Sequence, residues 1–300
     1  MTFRRGAALT TATTLGFADT ADLGPTAGNG FYRGWPDDLA SIQELGITDL
    51  RLTLDWARLQ PKPGSLDPDW SERFEQILAA AAAIGLRTWA TLHDGSIPKW
   101  FDNEGGIGDG EVFGRWWPRW VEAIADRFGD SVGGWVPFAE LPADARGPWR
   151  DTWTILEGVH PVVASILAPG AGAAAAVADV VERLDLLGLV LPTPWELDSA
   201  DDDPSAAAAD GWGQLIRDAA DDARDAPVVV TGFEPNHHDS DTAGRIVTTL
   251  VGVLDVAFAD GVTIEMCLLQ PAIATASGTV GLLDAGRNPT PLVDAFLPPR

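Results

Sequence analysis

The feature that most constrains this chain is an alternation of β-like and α-like segments running from one end to the other. Residues 5–10 (RGAALT) read as a strand, DDLASIQEL following Pro36 as a helix, and ITDLRLTL (47–54) as a second strand. Residues 69–84 carry an amphipathic helical pattern stopped by Gly85, LRTWATLH (86–93) is a third strand, 112–128 is a helix with an aromatic face, and VGGWVPFAE (132–140) is a fourth strand. The second half repeats the theme more sparsely: helix 151–159, strand PVVASIL, helix AAAAVADVVERL, strand 185–192, helix WGQLIRDAADDA, strand 226–234, helix 241–259, strand 261–269 and closing helix 289–297. Eight such β-then-α units with short connections predict an α/β fold, a (β/α)8 TIM barrel, as a single domain over 1–300. An open doubly wound sheet is the alternative, but that fold more often carries a Gly-rich phosphate loop, which this sequence lacks. The longest irregular stretch, 193–209 (TPWELDSADDDPSAAAA), reads as a loop after the sixth strand, on the face where barrels place their sites.

Composition narrows the partners. The chain has 44 Asp and Glu against 20 Lys and Arg, a formal net charge of −24, so it repels nucleic acid and anionic lipid, and neither is expected as a partner. No apolar run approaches the roughly 18 residues of a membrane helix. The start, MTFRRGAALTTATTLGF, has two arginines before a mildly apolar stretch but is Thr-rich and reads better as the first barrel strand than as an export signal, so a cytoplasmic protein is expected. The single cysteine, Cys267, cannot form a disulfide within the chain and lies in the apolar run VTIEMCLL, as a core residue would. Of the four histidines only His237 and His238 are neighbours, and no HExxH spacing occurs. Neither a metal nor a cofactor is expected.

Several segments carry a resemblance. FYRGWPDDLASIQELGITDLRLTLDWARLQPKPGSLDP, IGLRTWATLHDGSIPKWF and FGRWWPRWVEAIADRFGDSVGGWVPFAELP are similar to successive segments of glycoside hydrolase family 1, and ADGVTIEMCLL with GLLDAGRNPTPLVDAF is similar to its last strand and closing helix. The likeness is specific from 31 to 142 and weak from 143 to 225, and the chain is shorter than is usual for the family. It implies a retaining β-glycosidase ancestry, with one glutamate as acid/base after strand four and another as nucleophile after strand seven. That chemistry needs two carboxyls about 5–5.5 Å apart. Glu140 stands at the acid/base position, but the asparagine expected before it is Ala139. Arg51 and His93 match an arginine near the nucleophile and a sugar-binding histidine, and Asp94 replaces the aromatic or apolar residue after that histidine.

The seventh strand departs furthest. Where the family reads T-E-N-G or T-E-L-G, this chain reads Thr231, Gly232, Phe233, Glu234, which puts glycine at the nucleophile position and a glutamate two residues on. If the strand continues, Glu234 faces the same side, displaced by about 6.6 Å. The first-strand glutamine is absent, the sixth-strand Asn-Tyr pair is replaced by Pro192, Thr193 and Pro194, and the last-strand tryptophan falls near Gln270. Glu140 and Glu234 are therefore the candidate catalytic pair, and Arg51, His93, Asp94, Trp195 and Glu196 the candidate substrate contacts. Each has a bland counterpart: Glu140 paired with Arg51, Glu234 as a solvated loop carboxylate, and His93 as a hydrogen-bonded core histidine. DSD after His238 suits a helix N-cap, and Trp116, Trp117 and Trp120 suit packing of a helix on the barrel. Two readings stay open: a divergent glycosidase, or a barrel repurposed to another acid/base reaction, acting on a small molecule that is by resemblance a glycoside; and a catalytically inactive barrel binding a small ligand or a protein. The oligomeric state is not legible.

Overall fold

The computed structural model describes residues 3–15, 28–141, 146–167, 184–194, 204–223, 226–275, 278 and 280–297. Its elements are β1 (Arg4–Leu9), α1 (Thr11–Thr14), α2 (Phe31–Glu44), β2 (Asp49–Thr53), α3 (Trp56–Leu59), α4 (Pro68–Ala83), β3 (Arg87–His93), α5 (Lys99–Asn103), α6 (Gly110–Phe128), β4 (Gly134–Phe138), α7 (Arg146–Leu156), β5 (Val163–Leu167), β6 (Leu186–Val190), α8 (Pro204–Asp222), β7 (Val228–Phe233), α9 (Ser240–Ala259), β8 (Ile264–Leu269) and α10 (Leu292–Phe296). The strands form one eight-stranded sheet in the order β4-β3-β2-β1-β8-β7-β6-β5, every paired neighbour parallel. The two ends meet through a parallel bridge between Trp135 and Val162, with Trp135 N–H donating to Pro161 O at 2.9 Å. This is the expected TIM barrel, and the order excludes a doubly wound sheet.

Alternation along each strand sorts the interior. The lower inner cluster is apolar: Trp89, Val136, Val163, Leu186, Val229, Met266 and Leu268. Two residues further on, the same strands supply Thr91, Ser165, Gly188, Thr231 and Gln270. The barrel is thus plugged with hydrocarbon below and mostly polar or small near its C-terminal mouth. Outside, Trp117, Trp120 and Trp212 are fully buried, with Trp116 packed at the edge, as expected for helix-to-barrel packing. Asp67, Asp109 and Asp239 cap α4, α6 and α9 by accepting from first-turn N–H groups. The DSD segment is therefore a cap, as its sequence suggests.

Two prolines correct the expected boundaries. Pro36 lies inside α2 rather than at its start. A proline has no N–H for the carbonyl four residues earlier; that carbonyl, Tyr32 O, accepts from Arg73 Nη1 at 2.9 Å instead, which lets the helix begin upstream. Pro204 opens α8, so 204–209 is helical rather than loop. Proline suits a first helical turn, and the alanines after it are the strongest helix formers. The helix expected over AAAAVADVVERL lies outside the described residues, as do Trp195 and Glu196. Among the described residues, α9 alone is long and apolar enough to cross a membrane. It lies on the barrel with Ile246, Val247, Leu250 and Leu254 buried and Asp241, Arg245 and Asp255 exposed.

The packing yields two tests. A Cβ on Gly134 would fall 2.3–2.4 Å from ring carbons of Trp89, and that ring is fully buried. Gly134→Ala should cost about 1–3 kcal/mol through overpacking, read as a lower urea midpoint; an unchanged midpoint contradicts this packing. Burial pushes the Cys267 thiol up to about 12. The native protein should not react with a disulfide reagent at neutral pH until it is unfolded, whereas rapid native reaction would show the thiol to be open.

Candidate active site at the barrel mouth

The mouth is organised around Arg51. It projects from β2 into the barrel and is 2% exposed. Its Nη1 donates to Thr231 O at 2.8 Å and its Nη2 to Gln270 Oε1 at 2.9 Å. Desolvation lowers its pKa to about 10, with nearby Asp94 opposing the shift. Arg51 stays charged at neutral pH, and neither of these hydrogen bonds goes to Glu140.

Gly232 lies beside this guanidinium. A Cβ there would meet Gln270 Oε1 at 2.5 Å, Arg51 Nη1 at 3.0 Å and Arg51 Cζ at 3.2 Å. The volume a side chain at 232 would enter is occupied by the Gln270 carboxamide. Gln270 then turns its Nε2 to Glu234 Oε2 at 3.3 Å. The pairing of β7 with β8 shifts register between Val230 and Phe233, and β7 ends at Phe233. Glu234 therefore begins the following loop, half-buried, rather than continuing the strand. Gln270 was not legible as a site residue: its sequence signal is only a polar residue closing an apolar strand before Pro271.

Asp94 follows β3. Its Oδ2 accepts from Thr11 N–H and from Thr53 Oγ1, both at 2.7 Å, while Oδ1 is buried without a hydrogen-bond partner. Asp55, also missed in the sequence, is 1% exposed; it caps α3 through Arg58 N–H at 2.9 Å and pairs with the Arg58 guanidinium at 3.3 Å. Burial raises its pKa against the pull of Arg58.

His93 is half-buried, edge-on to Trp117 and Phe138 with centroids 6.3 and 6.2 Å away. Its Nδ1 accepts from Gly95 N–H at 3.3 Å, which leaves Nε2 to carry the proton of the neutral ring. Desolvation lowers its pKa, partly offset by Asp94. Glu140 lies on the seam between β4 and β5. Ala139 N–H donates to His93 O at 2.8 Å, Ser165 Oγ donates to Ala139 O at 2.7 Å, and Leu141 N–H donates to Ser165 O at 2.8 Å. The backbone on both sides of Glu140 is fixed, while its side chain is exposed. His237 and His238 lie in the turn leading to the Asp239 cap: His237 Nδ1 accepts from Asp239 N–H at 3.0 Å, and His238 Nδ1 lies 3.2 Å from Gly278 O.

The His93 shift has a sign. With a folded pKa below the ordinary 6.5, the unfolded chain binds the proton first, so stability contributed by neutral His93 is present above that value and is lost as pH falls below it. His93→Gln should flatten the decline of the urea midpoint between pH 7 and pH 5 relative to the parent. Parallel declines in the two proteins would place His93 in open solvent.

The model of glycosyl hydrolase family 1 matches residues 18–151. The beta-glucosidase of an Agrobacterium species is 27% identical over 131 residues, 43% of this chain and 27% of that protein. Beta-glucosidase A of Thermotoga maritima is 24% identical over 128 residues, covering 42% and 28%, and the human cytosolic beta-glucosidase 26% over 113 residues, covering 37% and 24%. The chain thus spans about a quarter of the length of these relatives. Two solved structures share the fold: a Thermotoga maritima family 1 glycoside hydrolase complexed with a cyclophellitol analogue (TM-score 0.73, 12% identity, 94% of this chain and 92% of that one) and the AHE enzyme from Alicyclobacillus herbarius (TM-score 0.76, 12%, 98% and 96%). Residues 18–151 of the chain are thus similar to glycoside hydrolase family 1, and the whole chain shares the barrel fold of these solved structures.

Proposed function

We propose that this chain hydrolyses a small β-glycoside by a route that bypasses residue 232, with Glu140 as proton donor and Glu234 as the second carboxylate. The observation that supports the reading is the exchange at the seventh strand. The place of a side chain at 232 is filled by Gln270 and Arg51, and the same Gln270 holds the Glu234 carboxylate by its amide. A carboxylate carried two residues further along stands back from the sugar, which suits single displacement, where the pair is about 6.5–9.5 Å apart to admit water. Water attacks the anomeric carbon and gives its proton to Glu234. The bond to the aglycone oxygen breaks, and that oxygen takes the proton of Glu140. His93, Trp195 and Glu196 serve as sugar contacts, and Arg51 and Asp94 act from behind them. The partner is a small-molecule glycoside, and the setting is cytoplasmic, in keeping with relatives named as cytosolic beta-glucosidases.

One observation favours a second reading. Glu140 is exposed at the mouth, and the residue before it is alanine, which has no side-chain hydrogen bond to give a sugar. A barrel that binds a glycoside without cleaving it has this character. A panel of aryl β-glycosides separates the two. The hydrolase reading expects turnover above background, a loss of at least about 100-fold in both Glu140→Gln and Glu234→Gln, and release of the inverted anomer as first product by proton NMR. Background rates in all three proteins eliminate the hydrolase reading, and a retained anomer eliminates single displacement.

A further inference from the structure

Arg51 carries a full positive charge inside the barrel, and both hydrogen-bond acceptors of its terminal nitrogens, Thr231 O and Gln270 Oε1, are neutral. No ion pair within 4.0 Å involves it among the described residues. A buried guanidinium without a counter-charge is costly to hold. The backbone position best placed to supply one is 232, whose Cβ direction points at Arg51, and it is glycine. The carboxylate whose field acts on Arg51 is Asp94.

The surroundings of Asp94 fit that role. Thr53 is two residues beyond Arg51 on β2, so the two share the inner face. Thr53 Oγ1 donates to Asp94 Oδ2, as does Thr11 N–H, and these bonds fix the carboxylate over the β2 and β3 ends. Asp94 Oδ1 and Arg51 Nε are both buried and make no hydrogen bond. Neither is spent on a neighbour, and each remains a full partner for the other's field in a medium that screens poorly.

We propose that Asp94 is the counter-charge of the buried Arg51, standing in from β3 for a carboxylate that position 232 on β7 cannot carry. It is thereby a positioning residue: Asp94 holds Arg51 charged and in place, Arg51 orients the Gln270 carboxamide, and Gln270 orients Glu234. The inference does not depend on whether the pocket cleaves its ligand or only binds it.

A double-mutant cycle on melting temperature tests this, using Asp94→Asn, Arg51→Met and the double variant in the full chain. Asparagine keeps an acceptor for Thr11 and Thr53 and removes only the charge. Asp94→Asn alone should lower the melting temperature by about 10 °C, with little change between low and high salt. In the Arg51→Met background the same substitution should cost less than about 3 °C. An equal cost in both backgrounds overturns the proposal, because the loss would then lie in the threonine contacts. If Arg51→Met does not fold, relocating the charge gives the answer. Within Asp94→Asn/Gln270→Ala, Gly232→Glu should restore most of the lost melting temperature and Gly232→Gln should not. Equal effects of Glu and Gln at 232 overturn it.

Discussion

A guanidinium buried in the mouth of the barrel is the constraint around which the rest of the site is arranged. Arg51 enters from β2 and reaches across to β7 and β8, where Thr231 O and Gln270 Oε1 receive it. Its presence explains why the interior changes character along the strands. Below it the inner faces of β3 to β8 meet as packed hydrocarbon. Near it they present threonine, serine, glycine and glutamine, whose side chains leave room and supply oxygen. Ser165 and Thr231 share a hydrogen bond of 2.9 Å across this layer. Gly188 leaves space for Thr231, whose methyl would lie 2.7 Å from an added Cβ.

The same constraint reorganises the chemistry of the mouth. With glycine at 232 and the Gln270 amide beside it, the carboxylates among the described residues at the mouth are carried by the segments after β2, β3, β4 and β7. Asp55 is committed to Arg58 and to the cap of α3. Asp94 is bonded to Thr11 and Thr53. Glu140 is exposed, and Glu234 is half-buried and accepts from the Gln270 amide.

Much of the fold was legible because period-two and period-3.6 patterns are local and survive divergence. The departures are local as well. Pro36 looks like a start signal because sequence cannot show that Arg73 takes over the carbonyl the proline orphans. Residues 204–209 have a loop-like composition, although a proline followed by alanines is also how a helix begins. In the site, Arg51, His93 and Asp94 could be found because strand ends in the first half align with a recognisable family pattern. That residue 232 is glycine can be read too, but what packs against it cannot. Gln270 reaches that volume through the register shift between β7 and β8, and register between strands is set by packing that no single segment encodes. Trp195 and Glu196 lie outside the described residues.

The closure of the barrel carries a mechanical consequence. Among the described residues, seven strand junctions are ladders, whereas β4 and β5 meet through one bridge and a few bonds from Trp135, Leu141 and Ser165. Such a junction is where a closed sheet opens with the least disruption. Glu140 is carried on this junction, whereas Glu234 follows β7, two strands beyond β5. The carboxylate after β4 therefore sits on the seam of the sheet that is tied by the fewest ladder bonds. Ser165 bonds the chain on both sides of Glu140 and so joins it to β5.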